Sequence, residues 1–241
     1  MSIIVFTDGA AKGNPGPGGW GAIVATPEGR VRELGGRAIH TTNNQMEMTA
    51  PLEALRLVRN APGVVELHAD STYVIRGATQ WIRNWQRRGW LTAEGKPVLN
   101  RELWEALSEE IAARGRGGVK WHWVRGHTEV PGNERCDEIA SAFASGKPVE
   151  LYDGPLVGYA VPLHDRPDDT SLPKRSAGSD FKKSPPAHSY LSVVDGVAMR
   201  HATWAECERR VKGVSGAKFK KSVSAEDEAA ILRGWGVLAP R

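Results

Sequence analysis

The chain has few cysteines and no long apolar run. Its two cysteines, Cys136 and Cys207, lie far apart and match no C-x-x-C metal or redox pattern, which favours a reduced, cytoplasmic setting over a disulfide scaffold. No segment approaches the roughly 18 apolar residues of a membrane span. The run from Ile3 to Phe6 is too short for a signal peptide and has no basic flank. We therefore expect no membrane partner.

Length and charge indicate a folded protein with a polyanionic partner. With 241 residues, of which 40% are hydrophobic, the chain is long enough for one domain with a real core plus a small second one. The formal net charge is +4 and the pI is about 9.1, with clustered Lys and Arg residues. Clustered cations favour a polyanion as partner, although a solvated basic face is the alternative.

Residues 3–38 are predicted to form a β-meander. Ile3 to Asp8 is a short apolar run that ends on a carboxylate, and a Gly- and Pro-rich turn follows it. Two more strands are predicted, in W-G-A-I-V-A-T and over Val31 to Ala38. Short turns between the three strands imply antiparallel pairing.

Two carboxylates come at the ends of apolar strands. Asp8 ends the first strand, and Asp70 follows Val64 to Ala69, with Ser71 available to cap the next helix. Functional residues are frequent where loops leave the edge of a sheet. An unpaired carboxylate in such a place needs a cation or a hydrogen-bond donor.

Two further acids are predicted on helices. Glu47 lies in the first turns of a helix that Asn43 or Asn44 caps. Pro51 cannot donate to the Glu47 carbonyl, so we expect a bend or a water-satisfied carbonyl there. Asp137 shares the apolar face of its helix with residues such as Ile139. These four acids repel one another if they cluster, unless divalent cations lie among them, and oxygen ligands select Mg²⁺ or Mn²⁺ over zinc. The spacing alone does not prove that they cluster.

Basic and aromatic residues alternate in Gln80 to Gly89. Trp81 and Trp85 lie four residues apart on one predicted helical face, with several arginines alongside. Either tryptophan could simply belong to the core. Cations that meet phosphates and rings that pack on sugars and bases are what a nucleic-acid groove requires. Asn100 and Asn133 are the predicted caps of the two helices that follow.

The chain is expected to divide into residues 1–145, a Pro-rich linker over 146–187 that is mostly disordered, and a module over 188–241. Leu156 to Leu163 is the part of the linker that can rest against a neighbour. The module reads as β-β-α-β-α, with a hairpin that turns at Asp195-Gly196 and a capping box from Thr203 to Glu206.

Five segments in register resemble the bacterial type 1 ribonuclease H family. They are T-D-G-A-A-K-G-N-P-G-P-G-G-W-G-A, T-T-N-N-Q-M-E-M, A-D-S-T-Y-V, W-I-R-N-W-Q-R-R-G-W and V-R-G-H-T-E-V-P-G-N-E-R-C-D-E-I-A. The resemblance covers Met1 to about Ser145. It implies an α/β fold with a five-stranded mixed sheet and flanking helices. It also implies hydrolysis of the RNA strand of RNA–DNA hybrids by two metal ions, leaving 5′-phosphate and 3′-hydroxyl ends.

The resemblance also assigns site residues. The metal-binding, catalytic acids are Asp8, Glu47, Asp70 and Asp137, which would hold two Mg²⁺ or Mn²⁺ ions. His127 matches the loop histidine that assists turnover or product release. The matches for substrate contacts are Asn14, Asn43, Asn44 and Gln45 near the RNA 2′-hydroxyls, Thr42 and Asn100 at a DNA phosphate, and Trp81 and Trp85 in the basic protrusion.

The chain departs from the family pattern at two positions. His40 stands where many relatives have Arg in the phosphate pocket, and Thr72 stands where others have Gln beside the aspartate. A histidine is charged only part of the time near neutral pH. These departures put the neighbouring substrate contacts in question and leave the four acids untouched.

The last fifty residues resemble the hybrid-binding, viroplasmin-like module usually found at the N-terminus of eukaryotic type 1 enzymes. The matching stretch is T-W-A-E-C-E-R-R-V-K-G-V-S-G-A-K-F-K-K, so this small α+β module is C-terminal here. Its implied nucleic-acid contacts are Trp204, Phe219, Lys220 and Lys221.

Two alternatives to hybrid cleavage remain open. One is action on DNA junctions or strand transfer by the same fold. The other is a non-catalytic protein that binds RNA–DNA hybrids or double-stranded RNA through the C-terminal module. A pure binder would need no cluster of four acids. We expect a monomer.

Overall fold

The computed structural model describes residues 2–126, 130–165, 167, 169–173, 187–214 and 216–237. The chain divides into two units, Met1–Leu172 and Pro173–Arg241. Within the described residues, no helix is both long enough and apolar enough to cross a membrane.

The first unit is built on a six-stranded mixed sheet. Its strands are β1 (Ser2–Ala11), β2 (Gly16–Ala25), β3 (Arg30–Thr41), β4 (Val64–Ala69), β5 (Val119–Trp123) and β6 (Asp153–Pro155). The spatial order is β5-β4-β1-β2-β3-β6. The β1–β2, β2–β3 and β3–β6 pairs are antiparallel, and the β1–β4 and β4–β5 pairs are parallel. The predicted meander and mixed α/β sheet are confirmed, and β6 is one strand more than the predicted five.

Helices cover both faces of this sheet. They are α1 (Asn43–Leu57), α2 (Thr72–Arg76), α3 (Ile82–Arg87), α4 (Arg101–Ala113) and α5 (Pro131–Ser145), with a π-helical turn (Gly77–Trp81) between α2 and α3. Successive residues of a strand face opposite sides. Val5 accordingly lies in a core with Leu55 and Trp104, whereas Phe6 lies in a second core with Cys136 of α5.

Local capping differs from the sequence prediction at the start of α1. Thr42, rather than Asn43 or Asn44, is the N-cap, and it forms a reciprocal capping box with Gln45. The helix continues through the buried Pro51 to Leu57. A bend at Pro51 stays a prediction.

Of the four other predicted caps, one is wrong, one keeps its position without a side-chain bond, and two are confirmed. Asn133 is buried inside α5, because Pro131, whose fixed φ suits the first turn, follows an N-cap at Val130. Asn100 is the N-cap residue of α4, as predicted, but it has a left-handed φ of 58° and its side chain makes no capping bond. Ser71 caps α2, and Thr203 caps the first helix of the second unit in a capping box.

Part of the predicted linker is folded onto the first unit. β6 pairs with β3, and Leu163 is 2% exposed in the core that contains Phe6. Glu33 of β3 fastens this segment: it accepts two bonds from the Arg135 guanidinium, at 2.8 and 2.9 Å, and one from the Tyr159 hydroxyl at 2.6 Å. The boundaries of the domains stay predictions, and residues 174–186 lie outside the described residues.

The second unit has the predicted β-β-α-β-α order. Its elements are β7 (Ser189–Val194), β8 (Val197–His201), α6 (Trp204–Val211), β9 (Lys218–Ser222) and α7 (Ala225–Trp235), with sheet order β8-β7-β9. The hairpin turns at Asp195 and Gly196, which both have positive φ, as a tight hairpin turn of this kind requires. Leu191, Ile231 and Leu232 form its core.

Candidate metal centre

Neighbouring parallel strands bring Asp8 and Asp70 together. Thr7 of β1 pairs with Ala69 of β4, so the next residue on each chain is an aspartate at the same level of the sheet. Asp8 does not end its strand, as the sequence had suggested, because β1 continues to Ala11 alongside β2. Asp70 does follow the end of β4.

Gly9 allows α1 to deliver Glu47 to the same place. A Cβ on Gly9 would lie 2.2 Å from the backbone nitrogen of Glu47 and 2.4 Å from the carbonyl carbon of Met46. Such distances are far inside van der Waals contact, so only a glycine fits between β1 and the first turns of α1. The sequence alone did not predict that Gly9 admits α1, although a glycine inside a strand often marks close backbone approach.

Three of the four predicted acids meet. Carboxylate oxygens of Asp8, Glu47 and Asp70 all lie within 4.8 Å of one another. Asp137 of α5 is outside this group, and its Oδ1 accepts a hydrogen bond from the Ser141 hydroxyl at 3.3 Å. Its charge still acts on Asp8 and Glu47. The structure therefore gathers three carboxylates and places the fourth beside them.

Burial and mutual repulsion raise the pKa of two of these carboxylates, Asp8 and Glu47. Burial, the charge of Asp70 and that of Asp137 raise the pKa of Asp8 to about 8, against the opposing hydrogen bond from the Gly9 N–H at 2.7 Å. Burial, followed by the charges of Asp8 and Asp70, raises the pKa of Glu47 well above its usual range. A bound cation would relieve both penalties.

The donor set fits a hard divalent cation. All of the donor atoms are carboxylate oxygens, which Mg²⁺ and Mn²⁺ prefer, whereas structural zinc sites typically use Cys or His. The raised pKa of Asp8 and Glu47 points the same way, because clustered carboxylates without a cation bind protons instead. The residues therefore suit the divalent metal that the sequence predicted.

Hydrogen bonds join the predicted RNA-reading residues to the metal centre. Asn14, in the turn after β1, accepts from the backbone N–H of Asn43 at 3.2 Å. The Asn43 side-chain amide donates to Glu47 Oε1 at 3.2 Å. Gln45 is occupied in the capping box with Thr42, and Asn44 is exposed. The structure thus connects Asn14 and Asn43 to a candidate metal ligand through two hydrogen bonds.

The tryptophans of the basic segment are half-buried. The ring centroids of Trp81 and Trp85 are 5.5 Å apart, and Trp85 is 5.5 Å from the fully buried Trp104. Trp85 packs on the core, whereas Trp81 contacts Tyr73 and Trp85. Contact of either ring with nucleic acid stays a prediction. The arginines around them are exposed: Arg83, Arg87 and Arg88. The π-helical turn beside them was not foreseen; Gly77 within it lies directly against Trp104.

Other predicted site residues are scattered around this centre. Asn100 is half-buried with its left-handed backbone, and His40 is exposed at the end of β3. His127 lies outside the described residues. Gly126, one residue before it, contacts the centre closely, because a Cβ there would lie 2.6 Å from Asp70 Oδ2.

The second unit carries an exposed aromatic pair among lysines. Trp204 is 40% exposed and Phe219 is 52% exposed, and their ring centroids lie 5.5 Å apart. Lys220 is exposed and Lys221 half-exposed on the same strand, β9. The four residues predicted for nucleic-acid contact therefore lie together on α6 and β9.

Comparison with known families identifies the first unit. The sequence model of the family described as RNase H matches residues 1–145. The chain belongs to the RNase H family. A Ribonuclease H of Thermosynechococcus vestitus is 52% identical over 149 residues, which cover 61% of this chain and 91% of that protein. A Ribonuclease HI of Pseudomonas aeruginosa is 51% identical over 140 residues, covering 58% and 90%. This RNase H is therefore an enzyme, a nuclease.

Two further matches concern the fold and the second unit. The crystal structure of LC9-RNase H1, described as a type 1 RNase H with the type 2 active-site motif, has 29% identity and a TM-score of 0.56. That match covers 73% of this chain and 96% of the other. The model described as Ribonuclease H1 N-terminal domain matches residues 201–230. In this RNase H that module lies C-terminal to the nuclease, as the sequence resemblance implied.

Proposed function

We propose that this RNase H hydrolyses the RNA strand of RNA–DNA hybrids with two Mg²⁺ ions, leaving 5′-phosphate and 3′-hydroxyl ends. The observation that carries the proposal is the group of three carboxylates within 4.8 Å of one another, hydrogen-bonded through Glu47 to Asn43. Metal binding and contact with the substrate sugar are thereby joined on one turn of α1.

The acids would hold the metal ions and the water. Asp8, Glu47 and Asp70 supply converging oxygens. Asp137, whose charge acts on Asp8, would complete the second site. Metal ions held by these acids would supply Lewis acidity, which would activate the attacking water and stabilise the charge on the leaving 3′ oxygen. The two aspartates are fixed by adjacent strands, so little reorganisation is needed when the ions bind.

Selection of RNA rests on groups that contact the 2′-hydroxyl, the atom that distinguishes the strands. Asn14, Asn43, Asn44 and Gln45 are our candidates. The Asn43 amide donates one of its two hydrogens to Glu47, which leaves the other for a sugar hydroxyl. Thr42 and Asn100 would bind a DNA phosphate.

The basic segment, Gln80 to Gly89, would bind the duplex next to the metal centre. Trp85 packs on the buried Trp104, and Trp81 packs on Trp85. Both rings are half-buried, and the exposed arginines around them would meet phosphates. His127 would assist turnover or product release. These assignments follow from the sequence resemblance and from the exposure of the segment.

The C-terminal module would tether the enzyme to hybrids or to double-stranded RNA. Trp204 and Phe219 present adjacent exposed rings, and Lys220 and Lys221 lie on the same strand as Phe219. Tethering raises the local concentration of substrate at the nuclease. A monomer in the cytoplasm stays our prediction.

The test is a substrate panel. The protein is incubated with an end-labelled RNA–DNA hybrid, duplex RNA and duplex DNA, each with and without Mg²⁺, and the ends of the products are analysed. We expect Mg²⁺-dependent cleavage of the RNA in the hybrid alone, with 5′-phosphate products. Cleavage of duplex DNA or DNA junctions instead would favour the alternative function, and metal-independent cleavage would refute the mechanism.

A further inference from the structure

The segment after α5 crosses one face of the sheet and contacts both of its edges. β6 pairs with β3 at one edge, and Leu163 is buried in the core on the α5 side. At the other edge, the Trp123 N–H at the end of β5 donates to the Thr170 carbonyl at 2.9 Å. Leu172 then packs on the opposite core. We call the described residues of this segment, 151–165, 167 and 169–172, the strap. The strap lies beyond the part of the chain, 1–145, that matches the RNase H family.

Thr170 holds the end of β5 through two bonds. Its carbonyl accepts from the backbone of Trp123, and its Oγ1 lies 3.0 Å from His122 Nδ1. The other nitrogen of that ring, Nε2, is 2.5 Å from Glu66 Oε2 on β4. β5 is an edge strand, so these contacts clamp its last residues between β4 and the strap.

Trp123 connects the end of β5 to Asp70, one of the proposed metal-binding acids. Its indole Nε1 donates to the Asp70 carbonyl at 3.0 Å. Three residues further along, Gly126 lies directly against the Asp70 carboxylate. Asp70 is thus contacted on its backbone and on its side chain by the same stretch of chain, whose starting point Thr170 fixes.

The cluster of carboxylates tolerates little displacement of Asp70. Loss of a group that hydrogen-bonds to a metal ligand and orients it typically lowers metal affinity or activity by about 10- to 100-fold. We infer that Trp123 and Thr170 are positioning residues for Asp70, so that the strap is a working part of the metal centre. This inference rests on the proposed role of Asp70 as a metal ligand. A strap that only covers apolar surface would contribute to stability and to nothing else.

The test uses two substitutions in the full-length protein. Trp123→Phe removes the indole donor and keeps an aromatic ring, and Thr170→Val removes the hydroxyl and keeps the backbone bond. Trp121→Phe is the matched control, because Trp121 lies on the same face of β5, packs on the same core and has an indole that makes no hydrogen bond to another described residue. Each protein is titrated with Mn²⁺ by calorimetry, its melting temperature is measured, and hybrid cleavage is followed against Mg²⁺ concentration.

We expect Trp123→Phe to bind Mn²⁺ about 10- to 100-fold more weakly than the wild type. Thr170→Val should show a smaller loss, and Trp121→Phe none. Excess Mg²⁺ should restore part of the cleavage rate, with the KM for hybrid unchanged. Wild-type Mn²⁺ affinity in both variants would overturn the inference, even if their melting temperatures fell. If Trp123→Phe does not fold, the Mn²⁺ affinity of Thr170→Val decides alone.

The calorimetric readout separates this inference from the proposed function. A wild-type protein that cleaves no hybrid would refute the function, whereas the Mn²⁺ affinities of the variants would still support or overturn the roles of Trp123 and Thr170.

Discussion

The stability of the metal-free protein should fall as the pH rises from about 5 to about 8. Asp8 has its folded pKa raised to about 8, whereas the ordinary value of an aspartate is 3.8. Between these two values the folded protein binds a proton that the unfolded chain has already lost. The free energy of unfolding therefore falls as the pH rises. Glu47, whose pKa is raised as well, acts in the same direction.

The size of the effect follows from one retained proton. Each pH unit changes the free energy of unfolding by about 1.4 kcal/mol per proton, so three units give about 4 kcal/mol for Asp8. For a unit of this length that corresponds to a fall in melting temperature of about 10 °C. The assay is thermal unfolding followed by circular dichroism, in EDTA and in Mg²⁺, over this pH range.

Asp8→Asn is the control, because it keeps the size of the side chain and removes its charge. We expect a flatter pH dependence for this variant and a higher melting temperature than wild type at pH 8 in EDTA. Mg²⁺ should raise the wild-type melting temperature most at pH 8, where the carboxylates are ionised. A wild-type melting temperature in EDTA that does not change over the range would refute the reasoning, as would an Asp8→Asn slope equal to that of wild type.

Three further predictions concern other parts of the molecule. Leu163→Ala should lower the free energy of unfolding by about 2–5 kcal/mol in denaturant melts, because its side chain is 2% exposed. Gly9→Ala should weaken Mn²⁺ binding, measured by calorimetry, because its Cβ would force Glu47 away from the other acids. Trp204→Ala and Phe219→Ala should each weaken hybrid binding by about 1–3 kcal/mol in fluorescence titrations, with kcat unchanged.

Each of these predictions has a control in the same chain. Val157→Ala, at a strap residue that is 90% exposed, should change stability by less than about 0.5 kcal/mol. Gly77→Ala meets Trp104 as closely as Gly9→Ala meets α1, and it should lower stability without altering Mn²⁺ affinity. Val197→Ala, an exposed residue of the module, should leave hybrid affinity unchanged. A variant and its control that behave alike would contradict the corresponding prediction.

Much of the sheet could be predicted from sequence because its signals are local. β1, β2 and β4 are apolar runs bounded by Gly, Pro or polar residues, and their pattern defines them without knowledge of partners. The caps at Ser71 and Thr203 are also local, since each side chain bonds a backbone three residues away. The resemblance to the family, rather than spacing, named the four acids.

Most of the strap could not be predicted, because its order comes from distant partners; the expected contact of Leu156 to Leu163 with a neighbour is confirmed in the core that contains Leu163. Its composition, rich in Pro and Asp, offers little periodic apolar content. Glu33 lies over a hundred residues away, yet it accepts bonds from Arg135 and Tyr159 that fix the segment, and the Leu163 side chain fills a core built by β1 and α5. Tertiary contacts of this kind leave no trace in the local sequence.

The strand that carries Asp8 was predicted too short for a related reason. Gly9 read as a strand breaker, whereas in the structure it continues β1 opposite Trp20 of β2. Its lack of a side chain serves the approach of α1, which only the folded arrangement reveals. The cap predicted at Asn133 is misplaced because Pro131 starts the helix earlier, and Asn100 holds the predicted N-cap position but has a left-handed backbone and makes no side-chain capping bond.

The central claim is that the gathered carboxylates hold the ions that cleave RNA in a hybrid. The most direct measurement compares wild type with Asp70→Asn on an end-labelled RNA–DNA hybrid in Mg²⁺, with hybrid affinity measured in parallel. We expect the variant to lose cleavage while it binds hybrid as tightly as wild type. Normal cleavage by Asp70→Asn would show that Asp70 does not hold a catalytic ion.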